Sequence, residues 1–387
     1  MRGSMESMAA GQVVYTRCLK CNSRFKGIYL KCPKCSGPAI LEYTSMSLHV
    51  EKGEASLWRY RDLLPEFPQR VSMGEGLTPL RIVDGVVVKN ERKNPTGSYS
   101  DRASSVIASY LASSSRGVVR VEYVEDFAYS MAYYARSVVN GRIVIADPFE
   151  ADSDELVQVN RLGFKVEVGD PEDADVPYIN PLTFEGLKTI LLEIYERRLN
   201  IENIVVPVER GALAFSLCKA LRELEEMGAD ASYTIIGALA RGSEEPWLLK
   251  YCGNYVRVEE IEPSEAVRAL LKLSASGLRT KLVSALAYAA ARITGNSLAV
   301  ITIGEKHVRY RRRVSKLGSD ILKVLEKHGE LTAYEVWRIL GGYSLRGVYK
   351  ALKSLEDLGL VCTKHVVKGI GRKVRKYYPC EDSYIVE

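Results

Sequence analysis

Between residues 58 and 306, short apolar runs rich in β-branched residues alternate with longer segments whose apolar residues recur at helical spacing. The strand-like runs are 86–89, 118–122, 142–146, 204–208, 234–238 and 298–303. The helical segments between them are 104–113, 129–139, 186–197, 213–227 and 278–292. Strands that alternate with helices predict an α/β fold with parallel sheets and crossover helices.

The pattern changes after residue 306. Three helical segments follow at 319–328, 332–340 and 344–358, and then two strand-like runs at 360–367 and 373–378 around a glycine-rich turn. Thr332 stands three residues before Glu335, which is the spacing of a capping box at a helix start. Three helices and a β-hairpin predict an α+β winged helix-turn-helix, which resembles the DNA-binding domain of bacterial and archaeal transcription regulators.

A length of 387 residues predicts more than one domain. The predicted parts are a tail or cloning remnant at 1–11, a zinc ribbon at 12–45, the α/β domain at 46–306, a basic linker at 307–316 and the winged helix at 317–387. We expect a cytoplasmic protein without membrane contact, because the sequence contains no run of eighteen apolar residues and no signal-peptide core. Few glutamines and 26% charged residues are typical of thermophilic proteins.

Two cysteine pairs lie near the N-terminus. Cys18 and Cys21 form one CxxC pair, and Cys32 and Cys35 form another ten residues later. This spacing places four thiolates around one metal and predicts a structural, tetrahedral zinc site. Two unrelated cysteine pairs in a loop are the alternative.

The other four cysteines are isolated in the sequence. Cys218 and Cys252 are interpreted as small buried apolar residues. Cys362 and Cys380 flank the predicted hairpin, so a disulfide between them is a hypothesis that suits the interior of a thermophilic protein.

The α/β segment carries four motifs in a fixed order. They are GEGLTPL at 74–80, KNE at 89–91, NPTGSYSDR at 94–102, and an Asn-Pro pair at 180–181 followed by EGLKT at 185–189. This succession resembles threonine synthase, a fold-type II pyridoxal-phosphate (PLP) enzyme, over roughly residues 13 to 306, and some archaeal members of that family also carry a zinc ribbon. The resemblance implies a two-lobed fold with parallel sheets.

Ser100 stands where the family has the lysine that forms a Schiff base with PLP. A hydroxyl cannot form an imine, because only an amine condenses with the aldehyde. The resemblance also places the family's substrate-binding loop at Glu125 and Asp126 and its phosphate loop at Glu209, Arg210 and Gly211. Acidic residues in both loops are unfavourable for bound anions.

The sequence therefore predicts that the chain is not an enzyme and needs no PLP, so that its α/β domain remains as a scaffold. A sensory cavity with Arg210 as an anion anchor is one alternative. Retained PLP-dependent catalysis of the threonine-synthase type is another.

Positive charge is concentrated at the C-terminal end. Residues 307–387 contain 17 Lys and Arg against 9 Asp and Glu, although the whole chain has a net charge of only +6. This asymmetry favours a polyanionic partner. The predicted nucleic-acid contacts are Arg311, Arg312, Arg313, Ser344, Arg346, Tyr349, Lys350, Lys353, Lys368, Arg372, Lys373, Arg375 and Lys376.

The preferred hypothesis is a DNA-binding transcriptional regulator whose α/β domain is a scaffold, a dimeriser or a sensor of a small-molecule effector. The alternatives are an adaptor subunit of a nucleic-acid-processing complex and a winged helix that docks on protein, and RNA is an alternative to DNA. A homodimer is expected, because two winged helices match a two-fold operator.

Overall fold

The computed structural model describes residues 14–114, 117–304, 315–357, 360–368 and 372–379. The chain divides into two units, residues 1–306 and residues 307–387. None of the helices within the described ranges is long and apolar enough to cross a membrane.

The first unit begins with a small antiparallel sheet in the order β2-β1-β3. Its strands are β1 (Val14–Cys18), β2 (Arg24–Lys26) and β3 (Ala39–Tyr43). The turns that carry the cysteine pairs contain Asn22 at φ 56° and Ser36 at φ 54°. Small polar residues tolerate this left-handed backbone, and it lets each turn fold back tightly.

The rest of the first unit alternates strands and helices. In chain order these are β4 (Leu80–Val83), β5 (Val86–Asn90), α1 (Ser100–Ala112), β6 (Val118–Glu122), α2 (Phe127–Ala135), β7 (Asn140–Ile145), α3 (Ser153–Arg161), β8 (Lys165–Val168), α4 (Pro181–Glu196), β9 (Asn203–Pro207), α5 (Ala212–Glu226), β10 (Thr234–Ala240), β11 (Val256–Ile261), α6 (Pro263–Ala275), α7 (Leu282–Thr294) and β12 (Ser297–Ile301). One sheet has the strand order β11-β10-β9-β12-β5-β4, and the other has the order β6-β7-β8.

The predicted α/β fold is confirmed, and every predicted strand and helix of this unit has a counterpart. The large sheet is mixed, because β4 runs antiparallel to β5. Strands β4, β8 and β11 were not predicted. All three lie at sheet edges, where charged side chains on the exposed face interrupt the apolar runs.

A buried ionic network joins the sequence motifs of the first unit. The guanidinium of Arg102 donates to both carboxylate oxygens of Glu91, from Nε at 2.7 Å and from Nη2 at 2.9 Å, and its Nη1 donates to Glu193 Oε1 at 2.6 Å. The Nζ of Lys89 donates to Glu193 Oε2 at 2.6 Å and to Thr78 Oγ1 at 2.7 Å. The four charged side chains are at most 1% exposed.

The network ties β5, α1 and α4 together. Burial opposes ionisation of Glu193, but Arg102 and Lys89 outweigh this effect and hold its pKa down to about 2. The same two cations lower the pKa of Glu91 against the effect of burial. Because two cations face two anions, the group is internally neutral and its charges are hydrogen-bonded, which are the conditions for burying ions.

We predict that Arg102→Met destabilises the first unit by about 3–5 kcal/mol, because it leaves two buried carboxylates facing one lysine. Urea unfolding followed by tryptophan fluorescence measures this loss. Arg241→Met is the matched control, since Arg241 pairs with Glu262 at the surface, where a pair contributes about 0–1 kcal/mol. Equal losses in the two variants would contradict the role of the network.

Cys218 and Cys252 form a disulfide, with their Cα atoms 5.6 Å apart. Both residues are buried, but the interpretation of each as an isolated apolar residue is wrong. The two positions are 34 residues apart in the sequence. They meet because the short helix Trp247–Tyr251 packs on α5, and local patterns carry no information about that contact.

The second unit contains three helices and an antiparallel hairpin. Its elements are α8 (Lys316–His328), α9 (Ala333–Leu340), α10 (Leu345–Asp357), β13 (Val361–Lys368) and β14 (Arg372–Pro379). The predicted capping box is confirmed, since Thr332 N–H donates to Glu335 at 2.7 Å and Glu335 N–H donates to Thr332 at 3.2 Å. Apolar side chains from all three helices and the hairpin form one core.

Candidate functional site

The first unit contains a cavity of about 590 Å³ at the carboxyl ends of its parallel strands. Residues that follow β6, β7, β9 and β12 line it, together with the starts of α5 and α7. Ligands of open α/β folds bind at this edge, because the loops after the strands converge there.

Most of the predicted cofactor-site residues meet in this cavity. Those that line it are Glu125, Asp126, Glu209, Arg210 and Gly211. Ser100 is the exception: it is buried at the start of α1, and its N–H donates to Ser98 Oγ at 3.2 Å. The preceding residue, Tyr99, lines the cavity in its place.

The acidic turn before α2 has a defined geometry. Asp126 takes φ 70°, and its N–H lies 2.9 Å and 3.0 Å from the two carboxylate oxygens of Glu155. The N–H of Tyr129 also donates to Glu155 at 3.0 Å. Because the buried Glu155 satisfies the first amides of α2, the side chains of Glu125 and Asp126 remain directed to other partners.

Lys281 is that partner. Its Nζ lies 2.5 Å from Glu125 Oε1 and 2.9 Å from Asp126 Oδ2, and a quarter of its side chain is exposed. Burial opposes the charge, but Asp126 and Glu125 outweigh it and raise the pKa of Lys281 above its usual value. Lys281 therefore balances one of the two negative charges, so the repulsion of a bound anion by Glu125 and Asp126 is weaker than the sequence implies.

The opposite wall is the start of α5. Gly211 takes φ 77° and caps the helix, and a Cβ atom there would lie 2.9 Å from the Cβ of Pro246. Arg210 is half exposed at the same rim, with its Nη1 3.7 Å from Glu122 Oε1. A helix N-terminus beside an arginine is a position where an anionic group is favourable.

Two tyrosines form the inner wall. The hydroxyl groups of Tyr99 and Tyr178 lie 2.8 Å apart. Burial raises the pKa of Tyr99 well above its usual value and raises that of Tyr178 to about 12. Both phenols are therefore neutral near pH 7 and can donate or accept a hydrogen bond.

Asp101 fixes the turn that leads into α1. Its carboxylate accepts from Thr96 N–H at 2.7 Å and from Ser130 Oγ at 2.6 Å. Burial raises the pKa of Asp101 to about 7, although these hydrogen bonds act in the opposite direction.

The predicted metal ligands also come together. The sulfurs of Cys18, Cys21, Cys32 and Cys35 all lie within 4.8 Å of one another. The Sγ atoms of Cys18 and Cys35 are 3.5 Å apart, and the N–H groups of Lys20 and Cys21 point at Cys18 Sγ from 3.3 Å. Four sulfurs in this arrangement suit one tetrahedral metal ion.

In the second unit, the predicted nucleic-acid residues of α10 are exposed. They are Arg346, Tyr349, Lys350 and Lys353, and Ser344 is exposed just before the helix. The hairpin residue Arg375 pairs with Glu356, and Lys376 Nζ donates to the carbonyl of Glu330 at 3.3 Å. Arg311, Arg312, Arg313 and the side chains of Lys368, Arg372 and Lys373 lie outside the described residues.

Cys362 is disulfide-bonded. Its hypothesised partner, Cys380, lies outside the described residues, so the pairing of these two cysteines stays a prediction.

Comparison with known proteins identifies the family of this chain. A model described as "Pyridoxal-phosphate dependent enzyme" matches residues 71–303. Threonine synthase of Methanosarcina acetivorans is 27% identical over 265 residues, which cover 59% of this chain and 65% of that protein. Threonine synthase of Methanocaldococcus jannaschii is 29% identical over 251 residues, which cover 55% of this chain and 62% of that protein. The chain thus spans less than two thirds of the length of these relatives.

Solved structures support the fold. Serine racemase from Dictyostelium discoideum aligns with a TM-score of 0.51 at 16% identity, covering 60% of this chain and 93% of that one. The two-lobed α/β fold implied by the sequence motifs is confirmed at this level.

These matches overturn two predictions. The interpretations that the chain is not an enzyme and that it needs no PLP are wrong, because a PLP-dependent enzyme family covers most of the first unit. Both rested on Ser100 at the position of the lysine and on the acidic residues in the two loops. The cavity also contains the primary amine of Lys281, which no local sequence pattern revealed.

We predict that Asp101 makes the free energy of unfolding of the first unit fall as pH rises from about 4 to about 7. The folded state keeps the proton of Asp101 up to about pH 7, whereas an unfolded chain releases it near pH 4. Above pH 7 this contribution is constant.

The measurement is the melting temperature at pH 5 and at pH 8 for the wild type and for Asp101→Asn. The difference between the two pH values should be smaller in the variant. Asp230→Asn is the control, since Asp230 is exposed and its removal should leave the difference unchanged. An unchanged difference in Asp101→Asn would refute the assignment.

Proposed function

Because this chain belongs to the family of pyridoxal-phosphate dependent enzymes, we propose that it joins a ligand-binding domain of that family to a DNA-binding domain and acts as a transcriptional regulator. The observation that carries the proposal is the basic, exposed face of α10 in the second unit. The cavity of the first unit supplies a binding site for a small-molecule effector.

The second unit has the elements of a winged helix-turn-helix. Helix α9 and helix α10 are separated by a turn of four residues, 341–344, that contains two glycines with positive φ. The indole Nε1–H of Trp337 donates to the carbonyl of Tyr343 at 2.8 Å, and the hydroxyl of Tyr343 donates to Asp320 at 2.8 Å. These contacts hold the turn on α8 and α9, which fixes the direction in which α10 leaves it.

Helix α10 has two distinct faces. Val348, Leu352 and Leu355 are buried in the core of the unit. Arg346, Tyr349, Lys350 and Lys353 follow each other at the spacing of a single helix face, and all four are exposed. Within the described part of the chain, no acidic side chain forms an ion pair with the three basic residues of this face. Such a face is suited to contact phosphates and base edges in a major groove.

The hairpin supports the same interpretation. Strands β13 and β14 pair along eight residues each. Strand β14 also joins Leu331, two residues before α9, through hydrogen bonds between Leu331 and Tyr377 at 3.0 Å and 2.7 Å. The wing is therefore attached to the helices through its backbone. Six Lys and Arg lie on the two strands, against no Asp or Glu.

The first unit supports a role as a sensor. Its cavity is lined by six acidic side chains, two basic side chains and three phenols, which is suited to a zwitterionic small molecule. We further propose a homodimer, which would present two copies of α10 to a two-fold site.

We predict that replacing Arg346, Lys350 and Lys353 together by alanine weakens DNA binding at least ~10-fold. The salt slope should also fall by about one for each phosphate that the variant no longer neutralises. The measurement is a salt series of binding to genomic DNA fragments with the full chain. Lys327→Ala is the control, because Lys327 is exposed on α8 rather than on α10.

Equal binding by the triple variant and the wild type would refute the assignment of α10. A preference for RNA fragments would indicate that the protein acts on RNA instead of DNA. Absence of binding to either nucleic acid at low salt would favour a winged helix that docks on protein, and binding without sequence preference would favour the adaptor.

We also propose that Cys18, Cys21, Cys32 and Cys35 hold one structural zinc ion and that residues 14–43 form a zinc ribbon. The ribbon contributes to the core of the first unit through Tyr43, whose hydroxyl donates to Glu185 at 2.7 Å. Lys188 lies over the Tyr43 ring at 5.1 Å. Loss of the metal should loosen β3 and thereby this contact.

We predict that the purified chain contains one zinc ion, and that Cys32→Ser loses it and lowers the melting temperature of the first unit, because metal binding and folding of such a site are coupled. Atomic absorption and thermal melting measure the two effects. Lys34→Ala is the control, since this exposed residue lies between two ligands. A chain that melts at the same temperature with and without a chelator would contradict a structural role.

A further inference from the structure

Arg375 on strand β14 is held by other side chains of the second unit. Its Nη2 donates to Glu356 Oε1 in the last turn of α10 and also donates to Thr363 Oγ1 on β13 at 3.4 Å. Its guanidinium lies over the ring of the buried Tyr377, 5.4 Å from the ring centroid. Arg375 is therefore engaged by one carboxylate, one hydroxyl and one aromatic ring of its own unit.

Glu356 connects the three elements that meet at this point. Its Oε1 accepts from Thr363 Oγ1 at 3.1 Å as well as from Arg375. Glu356 lies on α10, Thr363 on β13 and Arg375 on β14, so one carboxylate oxygen joins the end of the helix to both strands of the hairpin. Because the two strands pair along their whole length, a constraint here sets the direction in which the hairpin leaves α10.

The opposite face of the hairpin is attached to the segment before α9. Lys364 pairs with Glu330, and Lys376 Nζ donates to the carbonyl of Glu330 at 3.3 Å. Lys364 and Lys376 are direct neighbours across the two strands. Since successive residues of a strand point to opposite faces, Arg375 and Lys376 leave the hairpin on different sides. The hairpin is thus held between α10 and the start of α9.

The contacts of Arg375 differ from those expected of a phosphate contact. The basic residues of α10 form no ion pair with an acidic side chain in the described ranges, so their charges are available to a polyanion. Arg375 would have to leave Glu356 to bind a phosphate. The carboxylate of Glu356 would then lie beside the phosphate and repel it.

We propose that Arg375 is a positioning residue and not a phosphate contact: together with Glu356 it sets the orientation of the hairpin relative to α10, and thereby the extent of DNA that the second unit covers. This inference rests on the proposed DNA binding. It changes the role that the sequence predicts for Arg375.

The experiment measures Arg375→Met, Glu356→Gln and the double variant, each in the full chain, in the salt series with genomic DNA fragments. Each single variant should weaken binding by the same factor, about 2- to 5-fold, as expected for the loss of one exposed ion pair. The double variant should bind no more weakly than either single variant, because both remove the same interaction. The salt slope should equal that of the wild type, because no phosphate contact is lost.

Two matched controls separate positioning from charge. Arg346→Met removes an arginine from the exposed face of α10 and should lower the salt slope by about one. Glu326→Gln removes one negative charge from an exposed position on α8. The affinity of Glu356→Gln is therefore compared with that of Glu326→Gln, which gives the effect of lost negative charge alone.

Hydroxyl-radical footprinting at saturating protein separates positioning from a loss of folded protein. Arg375→Met and Glu356→Gln should keep the centre of each protected segment and lose protection at its edges, because the hairpin no longer takes a fixed direction from α10. A smaller folded fraction lowers the occupancy of the whole site and leaves the shape of the footprint unchanged.

The inference would be overturned by a fall of about one in the salt slope of Arg375→Met, or by tighter binding of Glu356→Gln than of Glu326→Gln, since both results would make Arg375 a phosphate contact. Wild-type affinity and footprint in both single variants would also overturn it. If the wild type itself binds no DNA, the proposed function fails and this inference fails with it, which the wild-type titration shows by itself.

Discussion

The buried network of Lys89, Glu91, Arg102 and Glu193 is the constraint on which the first unit depends. It brings four charges into a region without solvent and satisfies each with an opposite charge. Removing any one member leaves an unpaired buried ion, so the set is retained or replaced only as a whole. The network gives Lys89, Glu91 and Arg102 of these motifs a structural role that does not involve residue 100.

The same logic applies to the cavity. Charges of opposite sign are paired across elements that are far apart in the sequence, with Lys281 before α7 opposite Glu125 and Asp126 before α2. Glu125 and Asp126, which the sequence placed in the substrate-binding loop, are therefore ion-paired. An inference from residue types alone overestimates how strongly Glu125 and Asp126 repel an anion, because it omits their partner Lys281.

The sequence predicted the features that are determined by residues close together in the chain. Apolar periodicity located the central strands and most helices but not α3 and α6. Cysteine spacing indicated the cluster of four sulfurs, and the Thr332–Glu335 spacing indicated a capping box that the structure contains. It did not predict contacts between residues that are far apart in the chain and that the fold brings together. Nothing near Cys218 indicated its bond to Cys252, and nothing near Lys281 indicated that its amine enters the cavity. Edge strands were missed because their exposed faces carry charge. The sequence also did not indicate that Tyr99 lines the cavity while Ser100 is buried beside it.

We propose that the chain binds DNA as a two-fold dimer through α10. Hydroxyl-radical footprinting on fragments selected from genomic DNA by the full chain tests it most directly. We expect two protected segments related by two-fold sequence symmetry and separated by about one helical turn, roughly 34 Å, or a multiple of it. Uniform protection along every fragment, or protection without any symmetry or spacing, would contradict it.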